Sequence, residues 1–303
     1  MRTLLVAEEA AGLRALRLLA SREGVDPVAV LTSPPPERGQ SVASAAAELG
    51  LPRLEPGLVA DAGFAEWIVE HDVDLLLNVH SLSIAAGQVL AAPRIGSFNL
   101  HPGPLPAYAG LNAPSWAIAA GEKRHAVTLH WMTATVDAGD VAYEAWFDIA
   151  ADDTGLRVAT RCAREGLPLI ARLLDDAAAG SIPAVPQAPG GRWFGREVPH
   201  GGRVPWELGS AAVTRVVRAA DYAPFASPWG TFVTRASDGA DVEIVRLRPS
   251  GEPTAAPSGT VGPARGDIAA VSAGDEWVLV ERVRRDGTGI APSEVLTAGW
   301  RCD

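Results

Sequence analysis

The sequence predicts an α/β domain on a mostly parallel, Rossmann-like sheet, followed by a smaller C-terminal domain of β-barrel (OB-like) type. Three observations carry this. Short apolar runs alternate with helical patterns through residues 1–180, the arrangement that gives a parallel sheet covered by helices. A proline- and glycine-rich stretch over residues 181–205 then interrupts all periodicity, as an interdomain connection does. Beyond it lie short strand-like segments, the pattern of a small barrel. The predicted organisation is a first domain over residues 1–185, a linker over 186–205 and a second domain over 206–303.

Residues 3–7 form an apolar run, and Leu13, Leu16 and Leu19 then repeat at helical spacing, so the chain opens as strand then helix. Residues 28–32 supply a second strand, 33–39 a proline-rich loop, 42–49 an alanine-rich helix, 64–71 another helix and 73–78 a buried strand. A strand from Gly96 leads into a second proline-rich loop, a helix over 113–120 and strands over 126–132 and 141–147. A long helix over 154–179 follows, with Asp152, Asp153 and Thr154 as candidate caps. In the second domain, 210–220 reads as helix, and 231–235, 242–247, 268–271 and 277–283 as strands.

With 303 residues and 48% hydrophobic content, the chain can bury a substantial core. A net charge of −10 disfavours nucleic acid as a partner, because phosphate binding needs a basic stripe that displaces counterions. From residue 206 onward ten arginines face thirteen acids, a net of −3, which disfavours a tRNA-binding appendage. Cys162 and Cys302 show neither C-x-x-C spacing nor a disulfide framework, which fits a reducing cytoplasm. No segment has the roughly 18 continuous apolar residues of a membrane span. The histidines show no metal-ligand spacing: His125 and His130 are five apart on a predicted strand and face opposite sides.

A Rossmann-like sheet invites a dinucleotide reading, but the first strand-to-helix turn, Ala7-Glu8-Glu9-Ala10-Ala11-Gly12, lacks G-x-G-x-x-G. Two acids stand where phosphate would sit.

The chemistry lies further on, in Ser97-Phe98-Asn99-Leu100-His101-Pro102-Gly103-Pro104-Leu105-Pro106-Ala107-Tyr108-Ala109-Gly110. Asn99 and His101 are two apart, so on a strand they share a face, at the C-terminal end where open α/β sheets place ligands. Val136-Asp137-Ala138-Gly139-Asp140 adds an acid in a glycine-containing turn. Either Asp137 or Asp140 could serve as a turn former. Acyl transfer to an amine needs an oxyanion stabiliser, a route for the amine's proton and a group that fixes the imidazole, which Asn99, His101 and the acid could supply together.

N-x-H-P, L-P-x-Y-x-G and D-x-G-D, in that order, resemble the folate-dependent formyltransferases, a family that includes the glycinamide ribonucleotide, methionyl-tRNA and amino-sugar enzymes. The resemblance is strong over residues 70–150, moderate over the rest of the first 180 and weak beyond. It implies N-formyl transfer from 10-formyltetrahydrofolate, directly and without a metal, with Asn99, His101 and Asp137 as the catalytic trio; D-x-G-D selects Asp137 over Asp140. In that mechanism Asn99 and a protonated His101 stabilise the oxyanion, and Asp137 keeps the imidazole charged and accepts a proton. The resemblance also implies a pterin slot between residues 80–86, with His80, Leu82 and Ile84, and residues 133–137, with backbone groups of Ala134, Thr135 and Val136. Tyr108 and Asn112 flank the expected acceptor cleft.

For the acceptor, the first expectation is a small-molecule amine, either an amino acid or a carrier-protein-bound aminoacyl group. The run from His101 to Trp116 and the segment 221–230 look similar to formylation enzymes of nonribosomal peptide and other secondary metabolism. Next come a nucleotide-linked amino sugar, then initiator tRNA, then hydrolysis of the formylfolate or silent folate binding.

Overall fold

The first strand, β1 (Arg2–Ala7), is followed by α1 (Glu9–Ser21), β2 (Asp26–Leu31), α2 (Val42–Glu48), the short β3 (Arg53–Leu54), α3 (Phe64–Glu70), β4 (Leu75–Val79), α4 (Gly87–Ala91) and β5 (Gly96–His101). A two-residue strand β6 (Ala109–Gly110), α5 (Ala113–Ala120), β7 (Arg124–Trp131), β8 (Val141–Asp148) and the long α6 (Gly155–Ala179) complete this part. This computed structural model describes residues 1–37 and 39–302; Arg38, within the predicted proline-rich loop, and Asp303 lie outside the described residues.

The chain divides into two compact units. One comprises residues 1–111, 124–147 and 159–193; the other comprises 112–123, 148–158 and 194–303. Among the described residues the larger sheet has seven strands in the order β3-β2-β1-β4-β5-β7-β8. The pairs β1 with β2, β1 with β4, β2 with β3 and β4 with β5 are parallel, whereas β7 runs antiparallel to β5. The Rossmann-like, mostly parallel sheet is thus present, and a reversal of direction falls beside the strand that carries Asn99 and His101.

Burial explains these elements. β4 reads Leu-Leu-Leu-Asn-Val and is buried throughout, as a strand covered on both faces must be. α1 turns Ala11, Gly12, Ala15, Leu16 and Leu19 inward at helical spacing. Leu4, Val6, Ala29, Leu31 and Leu76 from the sheet pack with Val59, Phe64 and Ile68 to form one core cluster. α2 begins at a capping box in which the Ser41 side chain accepts from the Ser44 amide and the Ser44 hydroxyl accepts from that of Ser41. In the first turn, Glu8 accepts hydrogen bonds from the Ser33 amide and the Ser33 and Thr32 hydroxyls. Glu8, one of the two acids of that turn, thereby ties β1 to the end of β2.

In the second unit, β10 (Val233–Arg235), β11 (Asp241–Pro253), β13 (Glu276–Arg285) and β12 (Ala269–Ser272) lie in that order, with β14 (Thr288–Ile290) against β13; β9 (Trp193–Phe194) precedes them in the chain. The sheet is antiparallel and curls into a half-barrel, with α7 (Ser210–Ala219) and the short α8 (Pro292–Val295) in the same unit. β11 runs past the predicted end at residue 247 to Pro253, because irregularities in its register with β13 admit Pro249 and Pro253 into a strand that a regular ladder would end. α5 belongs to this unit: Trp116 stacks on Phe194 with ring centroids 4.8 Å apart and meets Trp229 edge-on at 4.8 Å.

Candidate active site

Three polar side chains stand in one row across adjacent strands. Asn78 of β4 is in register with Asn99 of β5, and Asn99 is in register with His130 of β7. Directly paired residues project to the same face of a sheet, so the register alone makes them neighbours. Asn78 Nδ2 donates to Asn99 Oδ1 at 2.9 Å. Asn99 Nδ2 lies 3.1 Å from His130 Nε2 and donates to Asp137 Oδ1 at 3.3 Å.

Asp137 completes the cluster from the turn that follows β7. It is 8% exposed and adopts φ 56°, a left-handed conformation that aspartate tolerates better than most residues. Its Oδ2 accepts the Gly110 amide at 2.9 Å and lies 3.5 Å from His101 Nδ1, and Oδ1 lies 3.5 Å from His130 Nε2. Burial pushes this carboxyl upward, but His101, His130 and the Gly110 N–H outweigh it and hold the acid at about 2. Asp137 is therefore a carboxylate at any working pH.

His101, last residue of β5, is buried, and its Nε2 lies 2.7 Å from the Tyr108 carbonyl oxygen. That oxygen can only accept, so Nε2 carries the proton. Burial lowers the imidazole below the ordinary histidine value, against the pull of Asp137 and the Tyr108 carbonyl. Nδ1 is the nitrogen that faces Asp137. Burial disfavours the charge that the resemblance implies for this imidazole, and Asp137 favours it.

The turn is held from outside by Gln187, whose Nε2 donates to the carbonyls of Asp137 at 2.8 Å and Gly139 at 2.7 Å. A Cβ at Gly139 would fall 1.9 Å from the Trp131 carbonyl oxygen, so only glycine fits between the turn and the strand. Gly139→Ala is expected to shift the turn, lower the melting temperature by several degrees and cost roughly 2–3 kcal/mol; a calorimetric melt within a degree or so of wild type would contradict this.

Leu82 and Ile84, after β4, are 77% and 67% exposed, and Val136, beside Asp137, is 40% exposed. Ala134 and Thr135 are also exposed. Apolar side chains on the loops that leave Asn78 and lead to Asp137 are thus held in water. His80 has φ 58° and its Nδ1 lies 3.3 Å from Glu9 Oε2; it is paired with an acid at the head of α1. Tyr108 contributes its carbonyl to His101 and meets His125 edge-on, ring centroids 5.9 Å apart. Asn112 lies in the second unit, at φ 59° before α5. Asp140 offers its carbonyl to the Trp131 amide.

Sequence reasoning missed His130, Asn78 and Gln187. Strand parity correctly separates His130 from His125, whose Nε2 lies 2.9 Å from the Pro102 carbonyl oxygen and whose pKa burial lowers to about 4. It does not say which strand His130 would meet. Among the described residues, no group of three or more His, Cys, Asp or Glu could hold a metal ion, and no helix is long and apolar enough to cross a membrane.

Several solved structures share the architecture. The N-formyltransferase of Helicobacter canadensis, in complex with folinic acid and dTDP-3-aminofucose, matches with a TM-score of 0.69 at 13% identity, over 92% of this chain and 98% of its own. A 4-N formyltransferase of Francisella tularensis gives 0.64 at 14%, over 81% and 96%. HypX of Aquifex aeolicus, in complex with tetrahydrofolic acid, gives 0.66 at 20%, over 97% of this chain but 46% of its own, so the chain spans about half of HypX. At such identities the likeness is one of fold. The sequence carries the rest: the model of the formyl transferase family matches residues 5–174, more than half of the chain, across the strands and turn that hold Asn99, His101 and Asp137. The chain belongs to the formyl transferase family.

Proposed function

We propose that the protein transfers the formyl group of 10-formyltetrahydrofolate to the nitrogen of a small amine, with Asn99, His101 and Asp137 as its catalytic residues. The observation that carries this reading is the buried Asp137 carboxylate, met by the Asn99 amide and by the imidazole nitrogen of His101. The amine attacks the formyl carbon, the carbon–N10 bond of the folate breaks, and the amine's surplus proton ends on N10. The Asn99 contact to Asp137 is long at 3.3 Å, so this N–H is the one that can turn to a developing oxyanion. His101 takes the amine's proton at Nδ1, Asp137 stabilises the imidazolium so formed, and the proton passes to the leaving nitrogen. Leu82, Ile84 and Val136 would flank the pterin, with His80 and the backbone of Ala134, Thr135 and Val136 at its polar edge and Tyr108 toward the acceptor.

The acceptor is an amino acid or a carrier-bound aminoacyl group, the class to which the motifs around His101 and residues 221–230 are similar. A second reading, a nucleotide-linked amino sugar, is favoured by the nearly full-length match to an enzyme crystallised with dTDP-3-aminofucose. Both readings agree with a net charge of −10, which disfavours nucleic acid as a partner. Incubation with 10-formyltetrahydrofolate is expected to release tetrahydrofolate only when a suitable amine is present. A mass-shift screen for added formyl groups across amino acids, aminoacyl carriers and amino-sugar nucleotides then identifies the acceptor. Release that is independent of any amine would mean hydrolysis, and binding without release would end the enzymatic reading.

A further inference from the structure

We propose that Asn78 is a positioning residue that fixes which face of the Asn99 amide is turned to the reacting groups. This rests on the reading of Asn99 as the oxyanion donor. A terminal amide can sit either way round, and the two ends of Asn99 have opposite chemistry: only Nδ2 can donate. The register places Asn78 directly beside it. Both groups within reach of the Asn78 amide nitrogen are acceptors, Asn99 Oδ1 at 2.9 Å and the Ser81 carbonyl at 3.4 Å. Asn78 is thereby held with its Nδ2 toward Asn99, and Asn99 must answer with Oδ1. Its Nδ2 then points the other way, to His130 Nε2 and Asp137 Oδ1.

His130 supports the same orientation. Its Nδ1 lies 2.8 Å from the Trp131 carbonyl, which requires a proton on Nδ1 and leaves Nε2 as the acceptor in the neutral ring. Turned over, Asn99 would set its oxygen against the Asp137 carboxylate and its N–H₂ against the N–H₂ of Asn78.

A further observation gives the residue its meaning. Asn78 is 7% exposed and its Oδ1 is buried without a hydrogen-bond partner among the described residues. Burying an amide oxygen in this way is unfavourable, and an apolar residue of similar size would continue the Leu-Leu-Leu run of β4. The asparagine is accounted for by what its nitrogen donates. It touches neither His101 nor Asp137 in any hydrogen bond of the structure, so its effect on the chemistry is exerted through Asn99.

The test compares Asn78→Asp and Asn78→Ser, each alone and with Asn99→Ala, using 10-formyltetrahydrofolate and the amine that wild type turns over fastest. Asn78→Asp keeps the size but removes the donor, and Asn78→Ser removes the reach. Each single variant is expected to lower kcat by about 10- to 100-fold, with KM for the folate within about twofold of wild type. In the Asn99→Ala background the same changes are expected to cost less than about twofold, since nothing remains to orient. A merely structural asparagine would lower the melting temperature and multiply its effect with that of Asn99→Ala. If one substitution prevents folding, the other carries the comparison. Wild-type kcat in folded Asn78 variants, or losses that multiply, would overturn the proposal while leaving Asn99 in its role. Unimpaired turnover in Asn99→Ala would overturn both.

Discussion

Asp137→Asn is expected to lower kcat by about 10³-fold while leaving folate binding nearly intact. The change keeps the size of the side chain, and an amide oxygen can still accept the Gly110 N–H that Oδ2 accepts at 2.9 Å. What it removes is the charge. His101 becomes an imidazolium during transfer by taking up a proton 3.5 Å from this carboxylate, in a buried place where an unpaired cation is strongly disfavoured. Without the anion, the proton transfer that drives the attack loses its compensation. Stability should respond in a way that identifies the same group. A carboxyl held at about 2 in the fold, against an ordinary value near 4, contributes stability that is fully present above the unfolded value and is lost as pH falls from about 4 toward 2. That contribution is about 2 kcal/mol, and Asp137→Asn should erase this segment of the stability profile in acid denaturation. Turnover within tenfold of wild type would remove Asp137 from the chemistry.

How far the sequence could foretell this site follows from what kind of information each residue depends on. Asn99 and His101 are legible because both lie on one strand, where two-residue spacing fixes a shared face. Asp137 is legible only through the motif around it, since its φ of 56° and the contact of Gly139 with the Trp131 carbonyl belong to a turn that hydrophobic patterning does not describe. Asn78 and His130 depend on register. They are 21 and 31 residues from Asn99 along the chain, and periodicity within a strand says nothing about which residue of the next strand lies opposite. Gln187 reads as one polar residue in a proline-rich connection, and only the folded chain returns it to the Asp137 carbonyl. The elements were legible for the same reason Asn99 was: Leu75, Leu76 and Leu77, or the inward face of α1, declare burial locally. Among the short pieces that patterning passes over, β3 and α4 contain two and five residues, too few for a period to show.

His101→Ala should lower kcat by about 10²- to 10³-fold, and the wild-type pH profile should say why. The two roles open to the imidazole predict opposite dependences. If it served as a cation from the start, activity would fall as pH rises through its pKa. If it begins neutral and takes a proton from the amine, activity falls as pH drops through that pKa, because acid removes the basic form. Burial lowers the value below that of ordinary histidine, against the pull of Asp137 and the Tyr108 carbonyl, which favours the second role. The single proton is committed to the Tyr108 carbonyl at 2.7 Å, which leaves Nδ1 as the base. The expected result is an acid limb in kcat/KM with its midpoint below about 6.5, absent from the residual activity of His101→Ala. Asp137 cannot supply that limb, being ionised down to about 2, and His125 lies on the other side of β7, with its Nε2 at the Pro102 carbonyl. Measured with saturating folate and an amine already deprotonated across the range, a profile that declines toward higher pH would require the proton to leave the amine by a route other than Nδ1.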